Sequence, residues 1–348
     1  MKKIIKISVI LFTIISVIYV GYKFIPQDPK LQNNSGDSLS YLSEFKGSPT
    51  INVFNFENEK IIKKFKIPKE KDLYSSTAYH KNQKKSVIVT QQLEPYGYQV
   101  FIQDENEIKK IGLIKEPIHE AIVLNNYLYV LVYLPNQNNK VTLKKYDVSN
   151  IEKPIKSWSL NGLPERMLVD ELSNNIYILT VDNNTALFTL NTNTEELKKT
   201  QVFDKPYDLN AFLKEGELWL LLQEQLTDMN IKSQKGKIPT RLVMSYNLKN
   251  KKVEKKLDTN YPPKFIQIDN NKVYVISGNS NTSYLEIYNT NSFSKESAEV
   301  LKLDIGNING FINKKYIFSD KGIYKIQNGA IKSIVDETIS ADLDLIIH

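Results

Sequence analysis

Polar or charged residues follow a proline at four points of the sequence, each just before a predicted strand. The four segments are Pro117-Ile118-His119-Glu120, Pro164-Glu165-Arg166, Pro206-Tyr207-Asp208 and Pro263-Lys264. Proline suits the first position of a strand because its φ is fixed and it donates no hydrogen bond to the ladder. If these strands begin at one mouth of a central channel, the side chains that could converge on one ligand are His119, Glu120, Glu165, Arg166, Asp208 and Lys264. The alternative is that they are solvated or pair with neighbouring charges.

Two smaller groups of residues suggest more specific chemistry. His119 beside Glu120 has the residue types of a general base with an orienting carboxylate. Adjacent residues of a strand point to opposite faces, however, so the sequence favours no such pair. Tyr96 and Tyr98 flank a glycine in a predicted loop, where two aromatic rings could stack on a sugar or a peptide. The alternative for these tyrosines is an ordinary place at the end of a hairpin strand.

Composition excludes several classes of site. The chain has no cysteine and only three histidines, so thiolate metal sites, disulfides and multi-histidine metal sites are not expected. No Gly-x-Ser-x-Gly, His-Glu-x-x-His, phosphate-binding glycine loop or dinucleotide fingerprint occurs. The sequence therefore predicts no metal and no cofactor, and it leaves catalytic residues unknown.

Net charge does not indicate nucleic-acid binding. The formal charge is +7, but the first 26 residues hold four lysines and no acid. The other lysines are scattered among glutamates and aspartates, whereas nucleic-acid binding needs a clustered basic stripe. The sequence therefore predicts no nucleic-acid partner.

The amino terminus has the pattern of a membrane segment. Lys2, Lys3 and Lys6 precede an uncharged run from Ile7 to Tyr22, which Lys23 follows. Snorkelling of Lys23 lengthens the apolar span, and no small-residue cleavage pattern follows. The sequence predicts an uncleaved transmembrane helix, a signal-anchor, over residues 1–25 and a flexible linker over 26–37. The three lysines should remain cytoplasmic, which places residues 38–348 on the extracytoplasmic side of the cell membrane. A cleaved signal peptide is the alternative.

The rest of the chain repeats one short pattern at intervals of about 43–47 residues, with one longer interval. In it, a polar turn precedes an aromatic residue within a β-branched or leucine-rich run. Clear copies are Asn125–Val132, Asn174–Thr180, Glu215–Leu221, Asn270–Ile276 and Asn313–Phe318. Each copy lies among four strand-like runs, which is typical of a β-propeller blade.

Six full units begin near Leu73, Ile118, Glu165, Tyr207, Lys264 and Asn307. A partial unit precedes them at Ser38–Phe45, Ile51–Phe56 and Lys60–Ile67, and the tail Ile339–Ile347 has the pattern of a single inner strand. Joined together, these pieces complete a seventh blade and leave no exposed sheet edge at the join. The sequence thus predicts an all-β, seven-bladed β-propeller, closed by strands from both termini, over residues 38–348. Six blades with a separate tail remain the alternative.

The repeated Leu-Tyr-Val and Val-Tyr-Val strand resembles that of the bacterial β-propeller superfamily, which includes YVTN-repeat, quinoprotein-like and WD40-like domains. The resemblance spans residues 38–348 and implies the fold alone. There is no repeated Trp-Asp dipeptide and no Gly-Gly kelch pair, and the chain has only two tryptophans. Quinone-cofactor chemistry is therefore not implied.

Long loops are predicted on one face of this propeller, at Gln91–Tyr98, Pro135–Lys140 and Gln225–Thr240. Binding residues concentrate in such loops. The sequence favours a membrane-anchored module that binds a protein or glycan through this face. One alternative is a hydrolase or lyase acting on a carbohydrate or lactone, with His119, Arg166, Asp208 or Lys264 at the channel mouth. A structural component of an assembly is the other.

Overall fold

The structure, a computed structural model, describes residues 38–45, 48–67, 73–82, 85–92, 96–104, 107–134, 140–226, 237–269, 272–278, 282–301, 308–312, 315–327, 330–336 and 346–347. Within these ranges all regular secondary structure is β-strand. The first fifteen strands are β1 (Ser38–Phe45), β2 (Ser48–Asn55), β3 (Lys60–Lys66), β4 (Leu73–Asn82), β5 (Lys85–Gln92), β6 (Gly97–Gln103), β7 (Ile108–Ile114), β8 (Ile118–Leu124), β9 (Tyr127–Leu134), β10 (Lys140–Asp147), β11 (Lys156–Leu160), β12 (Leu163–Asp170), β13 (Asn175–Val181), β14 (Thr185–Asn191) and β15 (Glu196–Phe203). The others are β16 (Tyr207–Lys214), β17 (Glu217–Leu226), β18 (Lys237–Asn247), β19 (Lys252–Asp258), β20 (Pro263–Asp269), β21 (Lys272–Gly278), β22 (Ser283–Asn289), β23 (Lys295–Leu301), β24 (Ile308–Ile312), β25 (Tyr316–Ser319), β26 (Gly322–Gln327), β27 (Ala330–Val335) and β28 (Ile346–Ile347).

These strands form seven four-stranded antiparallel sheets. In blades 2 to 7 the strands pair in chain order, as β4–β7, β8–β11, β12–β15, β16–β19, β20–β23 and β24–β27. Blade 1 has the order β28-β1-β2-β3 and so contains strands from both ends of the domain. The predicted seven-bladed β-propeller is confirmed, and each blade from 2 to 7 begins within two residues of its predicted start.

Tight hairpin turns join the first and second strands of several blades. Asn125 and Asn126 have φ values of 49° and 65°, and Glu215 and Gly216 have φ values of 51° and 79°. Two successive positive φ values define the turn whose twist matches that of paired strands, and Asn and Gly tolerate them best. The recurring polar turn of the sequence pattern therefore has a backbone cause.

The hydrophobic core consists of layers between neighbouring blades. Separate clusters join blades 2 and 3, 3 and 4, 4 and 5, 5 and 6, and 6 and 7. A further cluster joins blade 7 to blades 1 and 2 and contains Tyr41, Phe54, Phe101, Tyr316 and Phe318. Since every successive pair of blades shares a layer, the ring of sheets is closed. From blade 2 to blade 7, the first strands of consecutive blades lie against one another, which places them around the central axis.

The closure joins residues far apart in the chain. In blade 1, Ile347 pairs with Leu39 and Ile346 with Ser40. The hydroxyl of Tyr316 in blade 7 donates a hydrogen bond of 3.1 Å to the carbonyl oxygen of Phe56. The predicted closure by both chain ends is therefore confirmed. The part of the predicted tail strand before residue 346 lies outside the described residues.

The predicted helix over residues 1–25 and the linker over 26–37 also lie outside the described residues. Among the residues that are described, no helix has the length and apolar character needed to cross a bilayer.

Two predicted loops are shorter than the sequence indicated. Strands β17 and β18 continue to pair as far as Leu226 and Lys237, so this hairpin extends into the stretch Gln225–Thr240 predicted to be loop. Likewise, Gln92 pairs with Gly97 within the predicted loop Gln91–Tyr98. These segments were predicted as loops because they are polar. Their residues still pair across the hairpin, because the hydrogen bonds of the ladder are made by the backbone and do not depend on side-chain type.

Candidate functional site

The mouth of the central channel is lined by the starts of the inner strands, and most of these strands carry a β-bulge there. Five blades have the bulge within the first three residues of the strand, at Tyr74, His119, Glu165, Lys264 and Asn309. In blade 5 it falls instead on the partner strand, at Gln223. A bulge inserts an unpaired residue and redirects side chains, and bulges are frequent at barrel rims and beside active sites. This repeated irregularity marks the channel mouth as the candidate site.

Three of the predicted site residues, His119, Glu120 and Arg166, come together where blades 3 and 4 meet. Arg166 Nη1 donates a hydrogen bond of 3.1 Å to Glu120 Oε1. The other carboxylate oxygen of Glu120 accepts a hydrogen bond from the backbone N–H of Met167. Glu120 is buried and thus fastens the inner strand of blade 3 to that of blade 4. For these two residues the pairing of neighbouring charges, which the sequence left as an alternative, is what the structure contains.

The bulge in β8 also affects the argument that His119 and Glu120, as adjacent strand residues, must point to opposite faces. Ile118 pairs with Val132 and Glu120 with Leu131, so His119 has no partner in the register and strict alternation is broken at this point. His119 lies close enough to Arg166 for that positive charge to act on it. The prediction of opposite orientations assumed an unbroken strand, whereas β8 has a bulge at this residue.

Burial sets the protonation of the two basic groups at the mouth. Burial, together with the positive charge of Arg166, lowers the pKa of His119 to about 4, so the imidazole is neutral at physiological pH. Burial also lowers the pKa of Lys264. A neutral imidazole can accept or donate a hydrogen bond to a ligand, but a group with so low a pKa is a weak base.

The other predicted residues are distributed around the ring. Glu165, Asp208 and Lys264 stand at the starts of the inner strands of blades 4, 5 and 6, and each is half-buried. Asp208 lies directly opposite Glu224 in the pairing of β16 with β17. The mouth thus presents charges of both signs from successive blades. Among the described residues, no cluster of three or more histidine, aspartate or glutamate side chains has a metal-binding arrangement.

The predicted tyrosine pair forms a contact of its own at the end of the β5–β6 hairpin. The hydroxyls of Tyr96 and Tyr98 are 3.2 Å apart, and the two rings meet edge to face at a centroid distance of 5.9 Å. Burial and this hydrogen bond raise the pKa of Tyr98 to about 12, whereas Tyr96 is 48% exposed. Tyr96 thus offers an aromatic ring to solvent, held in place by its partner.

A second tyrosine pair was missed by the sequence analysis. Tyr261, in the β19–β20 loop, stacks on Tyr284 at a centroid distance of 4.5 Å and an interplanar angle of 8°. Their hydroxyls are 3.2 Å apart, and the guanidinium of Arg241 lies 6.0 Å from the Tyr261 ring. The available signal was the Tyr261-Pro262-Pro263 sequence, in which two prolines stiffen the segment that holds the ring.

Both tyrosine pairs lie on the same face of the propeller. In an antiparallel four-stranded blade, the loop between the second and third strands opens on the same side as the connection to the next blade. Tyr96 belongs to the first kind of loop and Tyr261 to the second. This face also holds the starts of the inner strands, and we call it the loop-rich face.

A buried carboxylate in blade 6 was likewise missed. Glu286 is fully buried on β22 and accepts hydrogen bonds from Ser277 Oγ at 2.5 Å and from the backbone N–H of Asn260 at 3.1 Å. Lys295 Nζ lies 2.5 Å from the same carboxylate. Because Asn260 belongs to the connection from blade 5, this network fixes the entry into blade 6. The sequence signal was a lone acid within an otherwise apolar and aromatic strand, Ser283–Asn289.

Comparisons with known proteins identify the fold only. No protein-family model matches the chain, and no curated protein matches it in sequence. Solved structures do match. The β-propeller domain of the Trilobed protease from Pyrococcus furiosus is 14% identical, with a TM-score of 0.56, over 89% of this chain and 95% of that one. The fold is shared. That domain is described as having an open velcro topology, whereas here blade 1 combines strands from both ends of the domain.

Two further structures are similar to the same extent. A functionally unknown protein from Desulfotomaculum acetoxidans is 11% identical, with a TM-score of 0.55, over 86% of this chain and 98% of that one. The dihydro-heme d1 dehydrogenase NirN is 11% identical, with a TM-score of 0.53, over 91% of this chain and 76% of that one. At these identities the propeller is shared and no activity follows from the likeness.

The low pKa of His119 predicts an acid-dependent loss of stability. The unfolded chain takes up a proton at this residue near pH 6.5, while the folded protein does so only near pH 4. Between these values the unfolded state binds more protons, so stability falls as the pH is lowered, by about 3 kcal/mol in full. Urea unfolding of His119→Gln and the parent should show the difference between them shift by about 2–3 kcal/mol in favour of the variant from pH 7 to 4.5. His348→Gln is the control, and an unchanged difference for His119→Gln would contradict the assignment.

Proposed function

We propose that this protein is a membrane-tethered binding module that recognises a protein or glycan on the extracytoplasmic side through its loop-rich face. The observation that carries the proposal is the presence of two tyrosine pairs, Tyr96 with Tyr98 and Tyr261 with Tyr284, on that face. Tyrosine supplies a large, rigid contact area with a polar end, and it is enriched at recognition surfaces.

The state of the channel mouth supports binding over catalysis. Glu120 and Arg166 neutralise each other there, and His119 has a pKa of about 4. A general base works best with a pKa near the operating pH, which His119 lacks. The amino-terminal segment supports the tether, since its apolar run and preceding lysines have the pattern of an anchor.

Binding through the tyrosines is tested by removing one ring from each pair. Tyr96→Ala and Tyr261→Ala should each weaken partner binding about tenfold or more, because an aromatic anchor residue contributes on the order of 1–2 kcal/mol. The measurement is capture of partners by the full chain in native membranes after cross-linking, together with binding to an array of cell-wall glycans.

Leu172→Ala is the matched control, since this leucine is 93% exposed in the β12–β13 turn on the opposite face. Loss of binding in Leu172→Ala with full binding in both tyrosine variants would place recognition on the other face and refute the proposal.

The alternative function is an enzyme that acts on a carbohydrate or lactone at the channel mouth. The lowered pKa of Lys264 favours it, because a buried lysine of reduced pKa serves as a base or nucleophile more readily than an ordinary one. Turnover that Lys264→Met abolishes, with partner capture unchanged, would support this alternative over the binding module.

A further inference from the structure

The outer strands of the propeller differ in charge between its two halves. In three consecutive blades, 7, 1 and 2, the outer strands β27, β3 and β7 hold seven lysines and no acidic residue. We call the lysines of this sector the basic rim, and they are Lys60, Lys63, Lys64, Lys66, Lys109, Lys110 and Lys332. All seven are exposed. Blade 1 lies in the middle of the sector and contributes four of them.

The opposite half of the ring is balanced. In blades 4, 5 and 6, the outer strands β15, β19 and β23 hold six lysines and five acidic residues. Between the two halves, the single lysine of β11, Lys156, forms an ion pair of 2.8 Å with Glu195.

Protection of sheet edges does not account for this asymmetry. Exposed edge strands use charged side chains to prevent pairing with other chains, and a lysine can serve this purpose. Charges of either sign achieve it, as the mixed edges of β15, β19 and β23 illustrate. Three consecutive outer strands whose only charged residues are lysines therefore indicate a partner of opposite charge.

We propose that the basic rim docks against the anionic lipid headgroups of the membrane in which the amino-terminal segment is anchored. This inference rests on the proposed membrane tether. The chain enters the propeller at Ser38 in blade 1, directly after the predicted twelve-residue linker. Such a linker spans at most about 40 Å when fully extended, so under the proposed tether the chain would enter blade 1, the blade with the most lysines, within that distance of the anchor.

Docking through the rim has a consequence for recognition. The outer strands lie at the circumference, whereas the tyrosine pairs lie on the loop-rich face. A propeller that rests on its rim at blades 7, 1 and 2 leaves that face open to partners beside the membrane. Each exposed lysine adds to attraction for an anionic surface, and salt screens that attraction.

The chain has no cysteine, which allows a direct test with one introduced label. Ile62→Cys, on β3 in the basic rim, replaces a residue that is 56% exposed. Its matched control is Val253→Cys, on β19 in blade 5, where the residue is 42% exposed. The full chain with a bimane at either site is reconstituted in phosphatidylglycerol vesicles that carry a headgroup nitroxide, which quenches fluorescence only at the membrane surface.

We expect strong quenching at position 62 and little at position 253. Quenching at 62 should disappear in phosphatidylcholine vesicles and in about 1 M salt, where the Debye length falls to about 3 Å. It should also disappear when Lys60, Lys63, Lys64 and Lys66 are replaced by Gln. The same replacement of Lys198, Lys199, Lys252 and Lys256, which are also exposed, should leave it unchanged. Near-ultraviolet circular dichroism checks that each variant is folded.

Equal quenching at both positions, or quenching at 62 that is insensitive to lipid charge, would overturn the proposal. The tether is assessed separately, by flotation of the full chain with phosphatidylcholine vesicles in high salt. Such flotation, combined with no quenching at 62 in phosphatidylglycerol vesicles at low salt, refutes docking and leaves the tether intact. Salt-sensitive flotation with phosphatidylglycerol vesicles alone refutes the tether and leaves docking intact.

Discussion

Deletion of residues Ile339–His348 is expected to abolish the single cooperative unfolding transition of the propeller. The described part of this tail, β28, is the inner strand of blade 1 and pairs with β1 at Leu39 and Ser40. Without it, blade 1 has three strands, and the edge of β1 is exposed at the centre of the ring. Unpaired backbone groups and an open strand edge are costly and promote aggregation.

The effect should extend beyond blade 1, because the aromatic layer between blades 7 and 1 depends on the position of β1. Tyr41 on β1 contacts Phe318 of blade 7 with ring centroids 6.1 Å apart. Tyr316 of blade 7 is anchored on the turn after β2 through the Phe56 carbonyl oxygen. We expect the deletion variant to lose most of its stability, which for a domain totals about 5–15 kcal/mol, and to unfold over a broad, non-cooperative range.

Two point variants separate strand pairing from chain length in this experiment. Ile346→Pro fixes φ and removes a backbone N–H in β28, which pairs with β1 at this residue, and it should act in the same direction as the deletion. Ile346→Val keeps the donor and a strand-forming residue, so it should unfold like the parent in calorimetry and urea titration. A deletion variant with a sharp transition and unchanged midpoint would show that the ring holds without its inner β28 strand.

Glu286→Gln is expected to cost about 3 kcal/mol, because it replaces a buried carboxylate that accepts several hydrogen bonds, and hydrogen bonds to charged groups contribute about 1.5–3 kcal/mol. The Glu286 carboxylate lies 2.5 Å from Lys295 Nζ and accepts hydrogen bonds from Ser277 and Asn260. The Tyr288 hydroxyl lies 3.1 Å from its Oε1, and burial together with the charge of Glu286 raises the pKa of that tyrosine. An amide at this position has no negative charge for Lys295 and presents an N–H₂ group to surrounding donors.

The control for this variant lies in the same blade. Glu299→Gln, on the outer strand β23, removes the same charge from an exposed position and should change stability by less than about 0.5 kcal/mol. Urea unfolding at neutral pH gives both values. A cost for Glu286→Gln as small as that for Glu299→Gln would mean that the network contributes little, because its formation only compensates for desolvation of the carboxylate.

The fold was predictable because its signals are local and repeated. The polar turn and the apolar strand after it, as at Asn125-Asn126, recur in five clear copies, since the blades must satisfy similar hairpin geometry and the same two-sided burial. The closure was predictable because the strands at the two chain ends add up to one four-stranded blade. Three strands at one end and one at the other leave a sheet unfinished, and burial of both its faces requires the missing strand.

The candidate site was predictable only in part. The prolines Pro117, Pro164 and Pro263 correctly marked the starts of inner strands and hence the residues at the channel mouth. The bulge that frees His119 from strict alternation was not predictable from the residues around it, because it results from pairing with β9 and from packing between blades. The Tyr261–Tyr284 stack joins residues 23 positions apart and has no periodic signal at all.

By itself, the sequence predicted where blades 2 to 7 begin, and it favoured seven blades, the first completed by strands from both chain ends, over six. Local turn geometry and the alternation of apolar residues suffice for these features, and both can be read along the chain. Only the tertiary structure decided which polar side chains pair with other groups inside the protein. Glu120 and Arg166, 46 positions apart, form an ion pair, and Glu286 is buried among partners from three strands and a loop. Such pairing depends on the distance between side chains after the ring has closed, and closure brings together residues that no short-range pattern relates.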